Sequence, residues 1–211
     1  MNDILTKANL VAGIQEWKNR KPKWGFQNDL YKKLQQLEAN GLNQEWWQSI
    51  IDELWNWRAI RPSSKTTVRQ KGLGCLRRLD AEYDRILRTT GEQKPNLETV
   101  SWEMLSGLYE VARSIKRLKH PSPVFGSKLC HFILPNAFPV VDREMIGIGC
   151  DYGDYWNDCS TQWAACTRKQ ELAQYLERAI ESEIKGRVTE YYPWATKVTE
   201  LCITGLPAEP A

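Results

Sequence analysis

Apolar residues recur along this chain at three- and four-residue intervals almost throughout, the spacing that lines one face of a helix. Phe26, Leu30, Leu34 and Leu37 mark one such face, which Asn40-Gly41 ends. Asn43 is a fair cap for the next helix, predicted to run to about Ile60 with Trp47, Ile50, Ile51 and Leu54 inward, and Arg61-Pro62-Ser63-Ser64 breaks it. Leu73, Leu76, Leu79, Tyr83, Ile86 and Leu87 predict a helix closed by Gly91 and Pro95. Ser101 can cap another, with Trp102, Leu105, Leu108, Tyr109, Ala112 and Ile115 on one side, ending before Pro121 and Pro123. A helix is expected from near Gly126 to Pro135, a short one after Pro139, and a long one through Leu172, Leu176, Ile180 and Ile184 to Gly186. No alternating strand pair, hairpin dipeptide or internal repeat interrupts this pattern, so the predicted class is all-α, many short helices around one core.

Residues 1–205 are expected to form a single all-α domain, with 90–100 the candidate meeting point of two helical lobes and 206–211 a frayed tail. The stretch GIGCDYGDYWNDCS, 147–160, reads as a long solvated loop, because Asp151, Asp154 and Asp158 lack calcium-loop spacing.

With 42% hydrophobic and 26% charged residues in 211, the composition is that of an ordinary globular protein, not a disordered one. The longest apolar stretch, Cys130 to Val141, is broken by Pro135, Asn136 and Pro139, so no membrane span is predicted. Asp3, Lys7, Glu16, Lys18 and Arg20 interrupt the first twenty residues, which lack the zones of a secretory signal, and a cytoplasmic location is expected. Six cysteines at 75, 130, 150, 159, 166 and 202 form no C-x-x-C pair and read as reduced, mostly buried thiols. No metal and no cofactor is expected. Four of the ten tryptophans, Trp46, Trp47, Trp55 and Trp57, fall close together and read as core.

The net charge of +3 conceals a segregation. Arg58 to Arg78 holds seven bases and no acid, and Val111 to Val141 holds five bases and no acid. These windows carry twelve positive charges, so the rest of the chain is negative by nine. A basic face on an acidic body attracts polyanions through counterion release, and it makes Arg61, Lys65, Arg69, Lys71, Lys116 and Lys119 candidate phosphate contacts.

The second window runs into HPSPVFGSKLCHFILPNAFPVVDREMIG, His120 to Gly147. A basic helix leads to a Pro/Gly turn, a helix opens at Ser127-Lys128, and a proline-flanked connection delivers Asp142. A helix opening there would present the backbone amides of Val124, Phe125, Gly126 and Ser127 to a DNA phosphate. His120, His131 and Cys130 read as structural, and Phe125, Phe132 and Phe138 mostly as core.

This segment resembles the helix-hairpin-helix DNA glycosylase superfamily. Pro123, Gly126 and Lys128 match the hairpin's proline, second glycine and lysine, and Pro139-Val140-Val141-Asp142 resembles the segment holding the essential aspartate. The likeness is to the lysine-bearing, 8-oxoguanine-type branch and its bacterial relatives, over about 28 residues. Val124 replaces the hairpin's first glycine, the interval from Lys128 to Asp142 is short for the family at 14 residues, and the iron-sulfur cysteines are absent, as in that branch.

The resemblance implies a glycosylase-like helical fold, DNA as partner, Lys128 as nucleophile and Asp142 as catalytic carboxylate. Cleaving an N-glycosidic bond builds positive charge on the deoxyribose, which a carboxylate stabilises, and an unprotonated lysine can attack the sugar carbon. The alternative is a non-catalytic DNA-binding or assembly module that keeps the scaffold and the basic face. The enzyme needs Lys128 and Asp142 to converge; the module does not.

Overall fold

The computed structural model describes residues 3–20, 27–38, 41–91, 94–116, 123–141 and 151–206. Among these it contains nine helices and no strand, which makes the protein all-α. They are α1 (Lys7–Arg20), α2 (Asn28–Glu38), α3 (Gln44–Asn56), α4 (Lys65–Thr90), α5 (Trp102–Ile115), α6 (Pro123–Ile133), α7 (Tyr152–Ala165), α8 (Lys169–Ile184) and α9 (Trp194–Thr204).

Capping fixes where several of them start. The Asn43 side chain accepts the Trp46 amide, Ser64 the Thr67 amide and Ser101 the Met104 amide, each satisfying a donor that the first helical turn leaves open. From α3 to α6, consecutive helices pack in turn: α3 on α4, α4 on α5, α5 on α6. The α3–α4 contact is close because Trp47 lies flat over Gly72 and donates its indole N–H to the Arg69 carbonyl at 2.9 Å. Trp46, Trp47 and Trp57 are buried as expected, and Trp55 lies partly buried beneath the Arg61 guanidinium.

Helix α3 ends at Asn56, short of the predicted Ile60. Arg58 takes φ 56°, a left-handed residue that stops the helix, while the Ala59 amide returns to the Leu54 carbonyl and the Arg58 amide to Trp55. This ending directs the carbonyls of Trp57, Ala59 and Arg61 to two lysines, described below.

Three further expectations are corrected. The helix predicted from near Gly126 begins at Pro123, whose fixed φ and missing N–H suit a first helical position, so Gly126 and Ser127 lie inside α6. Gly126 is held there by the Tyr109 ring of α5, which leaves no room for a side chain. The predicted loop at 147–160 is helical from Tyr152: Asp151 accepts the Gly153 and Asp154 amides, and Tyr152, Tyr155, Trp156, Cys159 and Trp163 form a buried stripe. Helices α1 and α9, absent from the predicted set, pack along each other. The short helix expected after Pro139 is not found in 139–141, and 142–150 lies outside the described residues.

The α1–α9 crossing depends on two glycines. A Cβ on Gly13 would fall 1.8 Å from the Leu201 carbonyl oxygen, and one on Gly205 would fall 1.9 Å from that of Asn9. Gly13→Ala must therefore push two backbones apart and should cost about 3 kcal/mol in urea unfolding, whereas Gly74→Ala, on an open face of α4, should gain roughly 0.5 kcal/mol.

Candidate functional site

A buried stretch of non-helical backbone follows α6. From Pro135 to Val141 the chain leaves helical geometry, and Ala137 to Val141 is buried throughout. Buried amides and carbonyls need partners, and without a regular ladder they must find them elsewhere. Six successive carbonyls do so. Pro135 accepts from the Thr196 hydroxyl at 2.8 Å, Asn136 from the Leu97 amide at 3.2 Å, and Ala137 from the Trp156 indole at 2.7 Å. Phe138 accepts from His131 Nδ1 at 2.7 Å, Pro139 from the Tyr152 hydroxyl at 2.7 Å, and Val140 from the Tyr155 hydroxyl at 3.2 Å. The Val140 amide donates to Glu200 Oε1 at 2.6 Å and the Val141 amide to Ser127 Oγ at 3.3 Å. Side chains of α6, α7 and α9 thus hold the segment on all sides.

Behind it lies a charged interior cluster. Lys197 and Glu200, 4% and 8% exposed, pair at 2.7 Å across one turn of α9. The Lys197 ammonium also faces the rings of Trp57, Trp17 and Tyr31 at 5.6, 5.8 and 5.9 Å, an arrangement in which ring quadrupoles replace part of the lost water. His131 is fully buried, with Nδ1 4.0 Å from Glu200 Oε1. Burial, then the Lys197 charge, pushes its pKa well below the ordinary value, against the Phe138 carbonyl, which raises it. The ring is neutral, its Nδ1 proton is donated to Phe138, and Nε2 accepts from the Tyr31 hydroxyl at 2.8 Å. Burial likewise raises Tyr31 and Tyr192, so both stay protonated.

Lys128 borders this cluster. It sits in the second turn of α6, is 4% exposed, and donates to the Trp57 carbonyl at 3.1 Å with its ammonium 5.9 Å from the Trp57 ring. Lys128 and Lys197 therefore share one indole. Asp142 lies outside the described residues; Val141, the residue before it, is bonded to Ser127, the residue before Lys128. Among the amides expected to hold a phosphate, those of Gly126 and Ser127 lie within α6, and Ser127 Oγ is buried against the Val124 carbonyl. Phe125 is core and Val124 half-buried.

The candidate phosphate contacts separate into groups. Arg61 and Lys71 are exposed, and Arg61 rests on Trp55. Lys65 and Arg69 share Asp52 at 2.6 and 3.6 Å. Lys116 is turned onto the carbonyls of Ala59 and Arg61 at 2.6 and 2.8 Å, closing the end of α3 onto α5. Lys119 and His120 lie outside the described residues.

Sequence reasoning missed Lys197, Glu200, Tyr31, Tyr152, Tyr155 and Trp156. The available signal was Lys197 and Glu200 placed three apart within the otherwise uncharged stretch from Trp194 to Ile203. Cys75, Cys130, Cys159, Cys166 and Cys202 are free thiols; burial raises Cys130 strongly and Cys202 to about 12, so neither is a thiolate at neutral pH. Among the described residues no group of His, Cys, Asp or Glu side chains is arranged to hold a metal ion, and no helix is long and apolar enough to cross a membrane. The chain matches no protein-family model, no curated protein and no solved structure.

His131 gives the cluster a pH signature. A ring that resists protonation only when folded leaves the unfolded chain binding more protons as pH falls below 6.5, so stability falls with it. Urea unfolding between about pH 5 and 7 should show this loss, and His131→Asn, whose amide can still donate to Phe138, should flatten it.

Proposed function

We propose that the protein binds DNA and acts as a glycosylase on a damaged base, with Lys128 as the amine and Asp142 as the carboxylate. The observation that carries this reading is the Val141–Ser127 bond: it closes the connection between the two motif halves, so an interval of 14 residues suffices to bring the chain back to α6 beside Lys128. The aromatic and charged surroundings of Lys128, with Trp57 at its centre, fit a site that takes an extruded base.

In the reaction so proposed, the Lys128 ammonium passes one proton to the departing base, and the amine so formed attacks deoxyribose C1′ as the N-glycosidic bond breaks with its bonding pair going to the base. Asp142 stabilises the cationic sugar on the way. Loss of a proton from the attached nitrogen and opening of the sugar give a Schiff base, from which strand cleavage by elimination can follow. Arg61 and Lys71 fit phosphate contacts best, being exposed beside the end of α3 and on α4.

A second reading is favoured by the bond from Lys128 to Trp57. A buried ammonium on the C-terminal carbonyl of α3 is a stabilising cap in its own right, and a chain using it only so would be a DNA-binding module without chemistry.

A single-turnover assay on duplexes each carrying one damaged base, 8-oxoguanine included, with borohydride present, separates the two. The expected result is a trapped adduct lost in Lys128→Gln, which can still donate to Trp57, and base release reduced at least about 100-fold in Asp142→Asn. Salt-sensitive binding with no release from any duplex would leave the module. For either, Arg61→Ala and Lys71→Ala should each reduce the slope of log affinity against log salt by about one.

A further inference from the structure

We propose that Glu200 is a positioning residue of the lysine-aspartate site: by accepting the Val140 amide it fixes the chain that enters Asp142. This rests on the glycosylase reading given above.

Glu200 stands where no other side chain does. The carbonyls of Pro135 to Val140 are served by neutral donors from α6, α7 and α9 and by one backbone amide, but the Val140 amide, two residues before Asp142, is taken by a carboxylate at 2.6 Å. A charged acceptor makes a shorter and stronger bond than a neutral one, at the last buried position but one of the segment. The carboxylate is itself fixed: Oε2 takes Lys197 at 2.7 Å, leaving Oε1 aimed at Val140.

Stability alone does not explain the arrangement. A buried ion pair can usually be exchanged for well-packed apolar residues without loss, because the desolvation of two charges offsets their attraction. What apolar residues cannot supply is an acceptor at Val140. The same peptide plane is gripped from its other side by the Tyr152 hydroxyl on the Pro139 carbonyl, and the next plane by the Tyr155 hydroxyl on the Val140 carbonyl and, at the Val141 amide, by Ser127 on the helix that carries Lys128. Glu200 thus couples α9 to the distance between the two halves of the motif. A positioning error of about 1 Å can cost about 100-fold in rate while leaving binding intact.

The experiment removes the ion pair in two ways. Lys197→Met with Glu200→Gln abolishes both charges but keeps an oxygen to accept the Val140 amide; Lys197→Met with Glu200→Met abolishes the acceptor as well. Tyr152→Phe, which leaves the pair untouched, loosens the same peptide plane from the Pro139 carbonyl. Residue-resolved amide exchange, DNA affinity and single-turnover base release are read on the full chain.

The proposal expects the Met/Met variant to exchange its Val140 amide at least about tenfold faster and to release base about 100-fold more slowly at unchanged DNA affinity. The Met/Gln variant is expected to recover both, and Tyr152→Phe to slow release with affinity retained. Val140 protection at the wild-type level in Met/Met, or faster exchange with an unchanged release rate in Met/Met and Tyr152→Phe, overturns it. If the wild-type chain releases no base from any duplex, the glycosylase reading falls, and with it the catalytic purpose assigned to Glu200; the exchange measurement then still decides whether Glu200 holds Val140.

Discussion

A backbone that leaves helical geometry inside a helical protein loses the partners that a helix supplies internally, and here it does so over several consecutive buried residues. Each unpaired amide or carbonyl in that position would cost about 1–3 kcal/mol, so the segment from Pro135 to Val141 can exist only if side chains come to it. They come from three helices: α6 just before the segment, α7 after it, and α9 about sixty residues away in the chain. Thr196 and Glu200 belong to α9, Trp156, Tyr152 and Tyr155 to α7, and His131 and Ser127 to α6. The demand of one short segment thereby fixes how these helices meet, and it gives a physical use for the aromatic content. Tyr and Trp are the residues that bury a large ring and still carry a donor at the tip. Tyr152 stacks on Tyr109 while its hydroxyl serves Pro139; Trp156 packs on Trp102 while its indole serves Ala137.

The end of α3 is the second place where side chains complete an open backbone. Arg58 in the left-handed region closes the helix, and the carbonyls beyond its last turn are taken by Lys128 and Lys116. This changes what the two basic windows mean. Charge that reads as a free surface in the sequence is partly engaged by the protein itself: Lys116 and Lys128 on carbonyls, and, in exposed ion pairs, Lys65 and Arg69 on Asp52 and Arg113 on Glu110 at 2.6 Å. What remains outward among the described residues of the first window is Arg58, Arg61, Lys71, Arg77 and Arg78. A polyanion surface would be narrower than the composition implies and centred on the end of α3 and the middle of α4.

The all-α class and the starts of α3 and α5 were legible because caps and apolar period act locally: Asn43 and Ser101 do in the structure what their sequence context predicts. The segment at 147–160 was misread because its glycines and aspartates dominate local propensity, although Asp151 is a cap and the Tyr/Trp stripe has helical spacing. Helix α6 starts earlier than expected because Pro123 initiates it and Gly126 answers a tertiary demand, room for Tyr109, that no local pattern encodes. The same holds for the site. Lys128 was visible through its motif, but Lys197 and Glu200 become significant only through Val140, about sixty residues away in the chain. Contacts at that separation leave no periodicity to read.

The two roles proposed for Lys128 differ in whether its bond to the Trp57 carbonyl must break. To act on a sugar, its amine must leave the Trp57 carbonyl, a hydrogen bond whose net worth with a charged donor is about 1.5–3 kcal/mol. Sequence-independent DNA binding alone supplies about 5–8 kcal/mol at physiological salt, given dissociation constants of roughly 10⁻⁴ to 10⁻⁶ M. Breaking the bond is therefore within reach of binding energy, provided the DNA engages residues coupled to it. Arg61 is such a residue, because its carbonyl is held by Lys116 in the same turn that presents Trp57. A phosphate drawn to Arg61 pulls on the turn that holds Lys128, whereas one drawn only to Lys71, farther along α4, does not. On the proposed reading the burial of Lys128 fits either role, and what separates them is whether DNA held at Arg61 would move the Trp57 carbonyl.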